Sequence, residues 1–357
     1  WDIAGPTWVG GVRNGGGIWE TPAIDPELGT LFFHVGNPSP DFDGSARKGM
    51  NLFTDSLVAL DVITGELKWF FQEVHHDLWD YDGAASPILF DFRKDGQTIK
   101  AVATAPKNGS LYILDRTTGQ PINPIIEVPV PTFSDVPGEE IFPTQPMPFT
   151  ADGTPMEPIV SLLAVDVPPQ YASFVVPHYT PPSSTEIHIV APHDAIGGTN
   201  FAPLSFSPRT GLLYVTGMDL PRGDRVQPVG ATIQPGQVSF PVFDEIDPGI
   251  RNGYVVAYDP ATARLVWKRR LGVTQSGVVV TGGDVLFVGD AAGFFYALDA
   301  RTGDVLYQFQ TGAGIGAAPM VYELNGVEYV SVAAGGSNRQ GLPLSDSVVT
   351  FTLFGQP

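Results

Sequence analysis

Nine consecutive residues, His75-His76-Asp77-Leu78-Trp79-Asp80-Tyr81-Asp82-Gly83, gather two imidazoles, three carboxylates and two aromatic rings. Polar groups packed so densely beside aromatics suit a site where a carboxylate takes a proton or holds a cation. The other use of a short Asp-rich loop is a turn in which Asp side chains bond their own backbone. Asp80 and Asp82 stand two positions apart. On an extended strand both would share one face, where two carboxylates repel unless a cation sits between or beside them.

The elements that must position this stretch are short strands. Immediately before it, LVALDVITGELKWFFQ (57–72) is two apolar runs joined by a Thr64-Gly65 turn, which predicts a hairpin. The same pattern, apolar–Asp–x–x–Thr–Gly–x–apolar, recurs in LYILDRTTGQPI (111–122), VVAYDPATARLVWKRRL (255–271, with Ala263 in the glycine position) and FYALDARTGDVLYQFQ (295–310). Partner hairpins occur in AIDPELGTLFFHVG (23–36), LSFSPRTGLLYVTG (204–217) and VTGGDVLFVG (280–289), and more weakly in MVYELNGVEYVSVAAGG (320–336). Repeats of four strands at this period predict an all-β fold, a β-propeller of four-stranded antiparallel blades; a β-sandwich is the competing fold. The hairpin pairs place about five blades, near 18–72, 84–122, 185–270, 275–310 and 315–354, the last incomplete. The whole chain, 1–357, reads as one propeller region with two interruptions. Residues 121–188 hold fifteen of the 34 prolines, so an extended, irregular insertion is expected, packed by its Phe, Tyr, Val and Leu. Residues 220–250 predict a second loop insertion.

Composition narrows the function classes. The net charge of −19 argues against nucleic acid or an anionic membrane as partner. The absence of cysteine excludes thiolate metal sites, disulfides and a Cys-x-x-Cys-His heme attachment. No run of 18 apolar residues is present, so no transmembrane helix is expected. The chain begins at Trp1 with no visible signal peptide, as expected of a mature or cut form.

EVHHDLWDYD following ALDVITGELKWFFQ closely resembles the active-site segment of the pyrroloquinoline quinone (PQQ) dependent dehydrogenases, eight-bladed propeller quinoproteins that oxidise alcohols, polyols and aldose sugars. The resemblance implies a role for several residues. In HHDLWDYD, Asp80 would be the general base, and Asp82 matches the extra carboxylate of lanthanide-using members. VGNPSPDF makes Asn37 a metal ligand beside them. GGGIWETPAIDP puts Trp19 beneath the cofactor, and APKNGSLYILDR makes Lys107 the cation on the quinone oxygens. GGTNFAP makes Asn200 a further quinone contact. His75 and His76 belong to the motif without a chemical role and are expected to be buried and hydrogen-bonded.

The resemblance further implies PQQ and Ca2+ or a lanthanide ion as cofactors, and a small alcohol, polyol or sugar as substrate. Cytochrome c or a quinone would accept the electrons, and the location would be periplasmic or extracellular. It runs from Trp1 to the end, where SDSVVTFTLF resembles the family's last strand, so the chain reads as the C-terminal part of a larger propeller. The metal-binding Glu of the family belongs to an N-terminal blade outside this sequence. Phe201 stands where the family commonly has Trp, and Gln275 where methanol-type members carry Trp, which predicts a pocket unlike theirs. The other reading is a non-catalytic propeller acting as a binding or assembly scaffold. Such a scaffold would keep the ALDxxTGxxxW repeats but has no reason to keep Trp19, Asn37, Asp80, Asp82 and Lys107 together.

Overall fold

Each hairpin pair closes into its own antiparallel sheet, and successive sheets stack face to face. The computed structural model describes residues 2–353 apart from 165, 194, 230–241 and 338–342. The first blade is β1 (Ala23–Asp25), β2 (Thr30–Val35), β3 (Ser56–Asp61) and β4 (Leu67–Gln72), in that order. The second is β5 (Ile88–Lys94), β6 (Gln97–Thr104) and β7 (Tyr112–Asp115). Two small sheets follow from the insertions: β8 (Ile125–Pro129) with β9 (Thr144–Pro148), and β10 (His188–Ile189) with β13 (Gly223–Val226) and β14 (Val242–Ile246). The third blade is β11 (Ser205–Ser207), β12 (Leu212–Asp219), β15 (Asn252–Asp259) and β16 (Arg264–Leu271). The fourth is β17 (Val279–Val280), β18 (Val285–Gly289), β19 (Phe294–Asp299) and β20 (Val305–Gln310), and the fifth is β21 (Met320–Leu324), β22 (Val327–Ala334) and β23 (Ser347–Thr352). The first strands of the first four blades touch in succession, β1 to β5 to β11 to β17. Innermost strands meeting in series are what a propeller built about an axis requires.

Because every inner sheet is covered on both faces, its middle strands are apolar at successive positions. In β15, Val256 and Tyr258 pack toward the second blade with Phe90 and Ala103, while Val255 and Ala257 pack toward the fourth with Leu286 and Leu298. That is the period-two alternation of a strand, used to fill two interfaces. The repeated Asp–x–x–Thr–Gly turns each follow the third strand of a blade. Asp115 Oδ1 accepts the N–H groups of Thr117 and Thr118 at 2.8 and 3.0 Å, and Asp299 Oδ1 those of Arg301 and Thr302 at 2.7 and 3.1 Å. The Trp of the preceding blade docks on these two turns: Trp69 Nε1 donates to Arg116 O at 3.2 Å and Trp267 Nε1 to Ala300 O at 3.1 Å. Gly119 has φ +73°, and a Cβ there would lie 2.7 Å from the Trp69 ring. Gly65 has the same φ with nothing within 4 Å. Gly119→Ala is therefore expected to lower stability by about 2 kcal/mol or more, from backbone strain plus a displaced indole. Gly65→Ala is expected to show the backbone part alone, and urea midpoints of the two variants compare them directly.

Two expectations change in detail. The second blade lacks a fourth strand, and an isolated bridge between Leu114 and Pro121 stands in its place. Pro121 and Pro124 have no N–H to extend a ladder there. Conversely, the insertion 121–188 holds a regular hairpin in spite of its prolines. Phe149 N donates to Pro124 O at 2.8 Å, so the inward N–H groups of β9 belong to the odd-numbered residues. Pro146 and Pro148 fall on the outward set of an edge strand, where no donor is needed. The middle of the 220–250 insertion, 230–241, lies outside the described residues, as does the end of the last expected strand. No helix of the described residues is long and apolar enough to cross a membrane.

Candidate active site

The nine-residue stretch leaves β4 and forms a buried loop rather than a strand. Asp77 builds its turn: Oδ1 accepts the N–H of Trp79 at 2.8 Å and Oδ2 that of Tyr81 at 2.7 Å. Asp80 between them adopts φ +56°, a left-handed conformation uncommon for a residue with a Cβ and worth attention at a polar site. Asp80 and Asp82 therefore do not share a strand face; the turn, not strand periodicity, brings them together. Lys107, just beyond β6, reaches both carboxylates, with Nζ 2.9 Å from Asp80 Oδ1 and 2.8 Å from Asp82 Oδ1. All three side chains are buried.

The other expected residues gather around this trio. Trp19 Nε1 donates to Asp82 Oδ2 at 3.1 Å, its ring centroid is 6.0 Å from Lys107 Nζ, and the residue is 53% exposed. A flat apolar face thus stays open to ligand beside a buried acid. Gly36 has no room for a side chain: a Cβ would lie 3.2 Å from both Asp82 Oδ2 and Trp19 Nε1. That close approach brings the loop of Asn37 to the site. Asn37 Nδ2 donates to Asp41 Oδ1 at 2.6 Å and to Pro38 O at 3.2 Å, so its amide nitrogen is occupied within its own loop. Gly15, at φ +92°, packs so tightly on this loop that a Cβ would be 2.4 Å from Asn37 O. The turn of Asn200 rests on Lys107 through Gly198 N to Lys107 O at 2.8 Å, but the Asn200 amide folds back on itself, donating to Ile196 O at 2.9 Å. His75 and His76 are buried and hydrogen-bonded, His75 to Gln72 Oε1 at 2.7 Å and Glu127 Oε1 at 3.0 Å, His76 to Gly49 O and Glu139 Oε1, each at 2.8 Å.

Several contributors carry no motif. Arg47 is fully buried and donates to Pro40 O, Asp41 O, Asp77 O and Asn51 Oδ1, at 2.6 to 3.1 Å, which locks the Asn37 loop to the Asp80 turn. Asp55 is buried with neither carboxylate oxygen hydrogen-bonded. Against Gly83 lies the ring of His34, whose Nε2 is 3.4 Å from Glu73 Oε2. The excess of acid shows in the protonation equilibria. Burial pushes Asp80 well above the usual carboxylate range, with Lys107 opposing and Asp82 adding to the rise. Burial likewise pushes Asp41 and Asp77 up to about 6. Burial pulls His34 down, but Glu73 and Glu20 hold it above its ordinary value.

In all these groups the folded state holds its proton more tightly than the unfolded chain, so their contribution to stability falls as pH rises. For Asp41 and Asp77 the window runs from the ordinary value of 3.8 to about 6. For His34 it opens at 6.5 and extends upward. The lowered carboxylates, Asp61 and Asp135 at about 2, work in the opposite direction at acid pH. In EDTA, urea unfolding is expected to give greater stability near pH 5 than near pH 8, with a fall below about pH 4.

The chemistry of the donor set can be tested for a cation. The Lys107 ammonium between Asp80 and Asp82 shows that a positive charge fits there, and carboxylate and amide oxygens are hard donors. Among the described residues no three His, Cys, Asp or Glu side chains come together as a ligand set, so this chain offers a partial set of two carboxylates with the Asn37 loop beside them.

Comparison with known proteins decides the family. The model of the PQQ glucose/ethanol/alcohol dehydrogenase β-propeller domain matches residues 4–241, which carry every residue of this site. The chain belongs to this family. Among curated relatives of the chain, quinoprotein alcohol dehydrogenase PedH of Pseudomonas putida is 32% identical over 93% of the chain and 52% of its own length. Quinoprotein glucose dehydrogenase of Escherichia coli is 28% identical over 94% of the chain and 49% of its own length. Quinohemoprotein alcohol dehydrogenase from Comamonas testosteroni superposes with TM-score 0.72 at 28% identity, covering 96% of the chain and 49% of that structure. A europium-containing methanol dehydrogenase superposes with TM-score 0.71 at 26% identity, covering 92% and 53%. The chain spans about half the length of the curated relatives it matches. Residues 251–341, which hold none of the site residues, match the model of outer membrane protein assembly factor BamB.

Proposed function

We propose that the chain forms the catalytic side of a PQQ-dependent dehydrogenase that oxidises an alcohol, polyol or aldose sugar. The observation that carries this reading is the buried Asp80–Lys107–Asp82 bridge beside the half-exposed Trp19 ring. When bound, PQQ accepts hydride and a calcium or lanthanide ion acts as Lewis acid on its carbonyl. The protein's own groups do the rest. Asp80, whose burial raises its affinity for protons, takes the substrate hydroxyl proton. Trp19 offers a face for a flat ring system, and Lys107 donates to the quinone oxygens where negative charge develops. Asp80, Asp82 and Asn37 supply oxygens to the ion; Asn200 is a further cofactor contact once its amide turns from Ile196. The remaining ligand, a Glu, comes from the rest of the propeller. Cytochrome c or a quinone accepts the electrons, and the protein works in the periplasm or outside the cell, as the resemblance implies.

A scaffold role is the second reading, favoured by the BamB match over 251–341. Dye reduction by the full-length protein, with the rest of the propeller in place, across an alcohol, polyol and sugar panel, with PQQ plus Ca2+ and then PQQ plus La3+, separates the two. Turnover that requires both PQQ and a cation is expected; its absence under every combination supports the scaffold. The second carboxylate favours a more highly charged ion. Asp82→Ala is accordingly expected to weaken lanthanum more than calcium by about tenfold or more in half-saturating concentration, since charge-assisted contacts are the stronger ones. Full activity of this variant with lanthanum would remove Asp82 from the site.

A further inference from the structure

The segment that carries Asp80 and Asp82 is tied to the loop that carries Asn37 by a side chain from a third segment, the proline-rich insertion. His76 Nδ1 meets Gly49 O at 2.8 Å, and its Nε2 meets Glu139 Oε1 at 2.8 Å. The other Glu139 oxygen accepts the N–H of Gly44 at 2.6 Å. Both side chains are 1% exposed. Gly44 lies directly against the imidazole, where a Cβ would be 2.6 Å from His76 Nε2. A carboxylate presents acceptors on two oxygens in one plane, so it can hold one donor from each segment at once. Removing it leaves a buried N–H and a buried ring nitrogen without partners. Arg47 links the same two segments through Asp77 O and Asp41 O, but from within the Asn37 loop.

We propose that Glu139 is a positioning residue: it sets the spacing between the Asn37 loop and the Asp80–Asp82 turn, so that oxygens from the two meet on one cation. The proposal rests on the dehydrogenase reading above. It assigns the insertion a task at the site, because Glu127 and Gln145 grip the adjacent His75 in the same way: Gln145 Oε1 accepts His75 N–H at 2.8 Å and Gln145 Nε2 donates to His75 O at 2.7 Å. Glu139 stays ionised in this place; burial raises its carboxyl, and the hydrogen bond and charge of His76 lower it further than that.

Three variants of the full chain separate reach from charge. Glu139→Gln keeps the reach: its carbonyl accepts from Gly44, and its amide donates to a His76 protonated on Nδ1. Glu139→Asp keeps the charge but is one methylene too short to span both partners. Glu139→Ala keeps neither. The readouts are kcat and KM for PQQ-dependent dye reduction, and deuterium uptake of amides 44–49 and 76–82 in PQQ-free protein. Glu139→Gln is expected to hold kcat within about threefold, while the Asp and Ala variants lose roughly tenfold to hundredfold in kcat with little change in KM. Amides 76–82 of those two are expected to exchange faster, and amides of β18 to exchange as in the parent. Gln losing as much as Ala, Asp behaving as the parent, or unchanged exchange at 76–82 would each overturn the proposal. If the full-length parent, with the rest of the propeller in place, shows no PQQ-dependent turnover, the dehydrogenase reading fails, and the exchange data still decide the clasp. If the Ala variant does not fold, the Gln and Asp pair decides it.

Discussion

Asp80→Asn is expected to remove turnover by roughly 10²–10⁴-fold while PQQ and cation binding persist, because the base is lost and an oxygen ligand remains. The asparagine is nearly isosteric, and Lys107 Nζ, 2.9 Å from Asp80 Oδ1, still finds the amide oxygen. The turn survives as well, since Asp77 and not Asp80 caps the N–H groups of Trp79 and Tyr81. Stopped-flow reduction of the bound quinone, measured beside binding titrations, checks both halves. Appreciable turnover by this variant would reassign the base. A parallel loss of cation binding would show that the Asp80 charge serves the ion more than the proton.

The second large effect belongs to Lys107. Its ammonium lies between two buried carboxylates, and Lys107 is held above its ordinary pKa by Asp80 and Asp82 although burial alone would lower it. Lys107→Met keeps the aliphatic stem and deletes the charge. In EDTA the variant is expected to lose about 3–5 kcal/mol, the usual consequence of leaving buried charge unpaired. Saturating lanthanum should return part of that stability, because the ion supplies positive charge to the same oxygens. Urea titrations with and without La3+ measure both terms. A variant as stable as the parent in EDTA would mean that Asp80 and Asp82 are not ionised together in the parent. Loss of stability with no recovery on lanthanum would separate the cation from this pair.

The repeats were legible because each is local. Hairpins at 57–72, 111–122, 255–271 and 295–310 carry their own turn chemistry, and Asp115 and Asp299 bond the N–H groups two and three residues on, as such turns require. Trp19, the Asp80–Asp82 pair and Lys107 were legible because they sit in three sequence motifs, and the structure brings those four residues within contact or near contact. The turn reading of the Asp-rich loop holds for Asp77, which caps the turn, while Asp80 and Asp82 face the Lys107 ammonium. The strand-face argument for that pair failed because the left-handed φ of Asp80 depends on Asp77, a contact that strand periodicity ignores. Arg47 and Glu139 had no signal in the chain. The contacts that tie them to the Asp80 segment, Arg47 to Asp77 and Glu139 to His76, span 30 and 63 positions, and only the packed loops reveal them.

The central claim is that PQQ and a cation meet on the Trp19 side of the Asp80–Lys107–Asp82 bridge. The most direct measurement is a PQQ titration followed by tryptophan fluorescence, with and without La3+, for the parent chain and for Trp19→Leu and Asp82→Ala. Saturable quenching in the parent that tightens with La3+ is predicted. Trp19→Leu should lose most of that quenching, and Asp82→Ala should lose the dependence on the ion. Quenching that is equal in Trp19→Leu, or indifferent to La3+ in the parent, would contradict it.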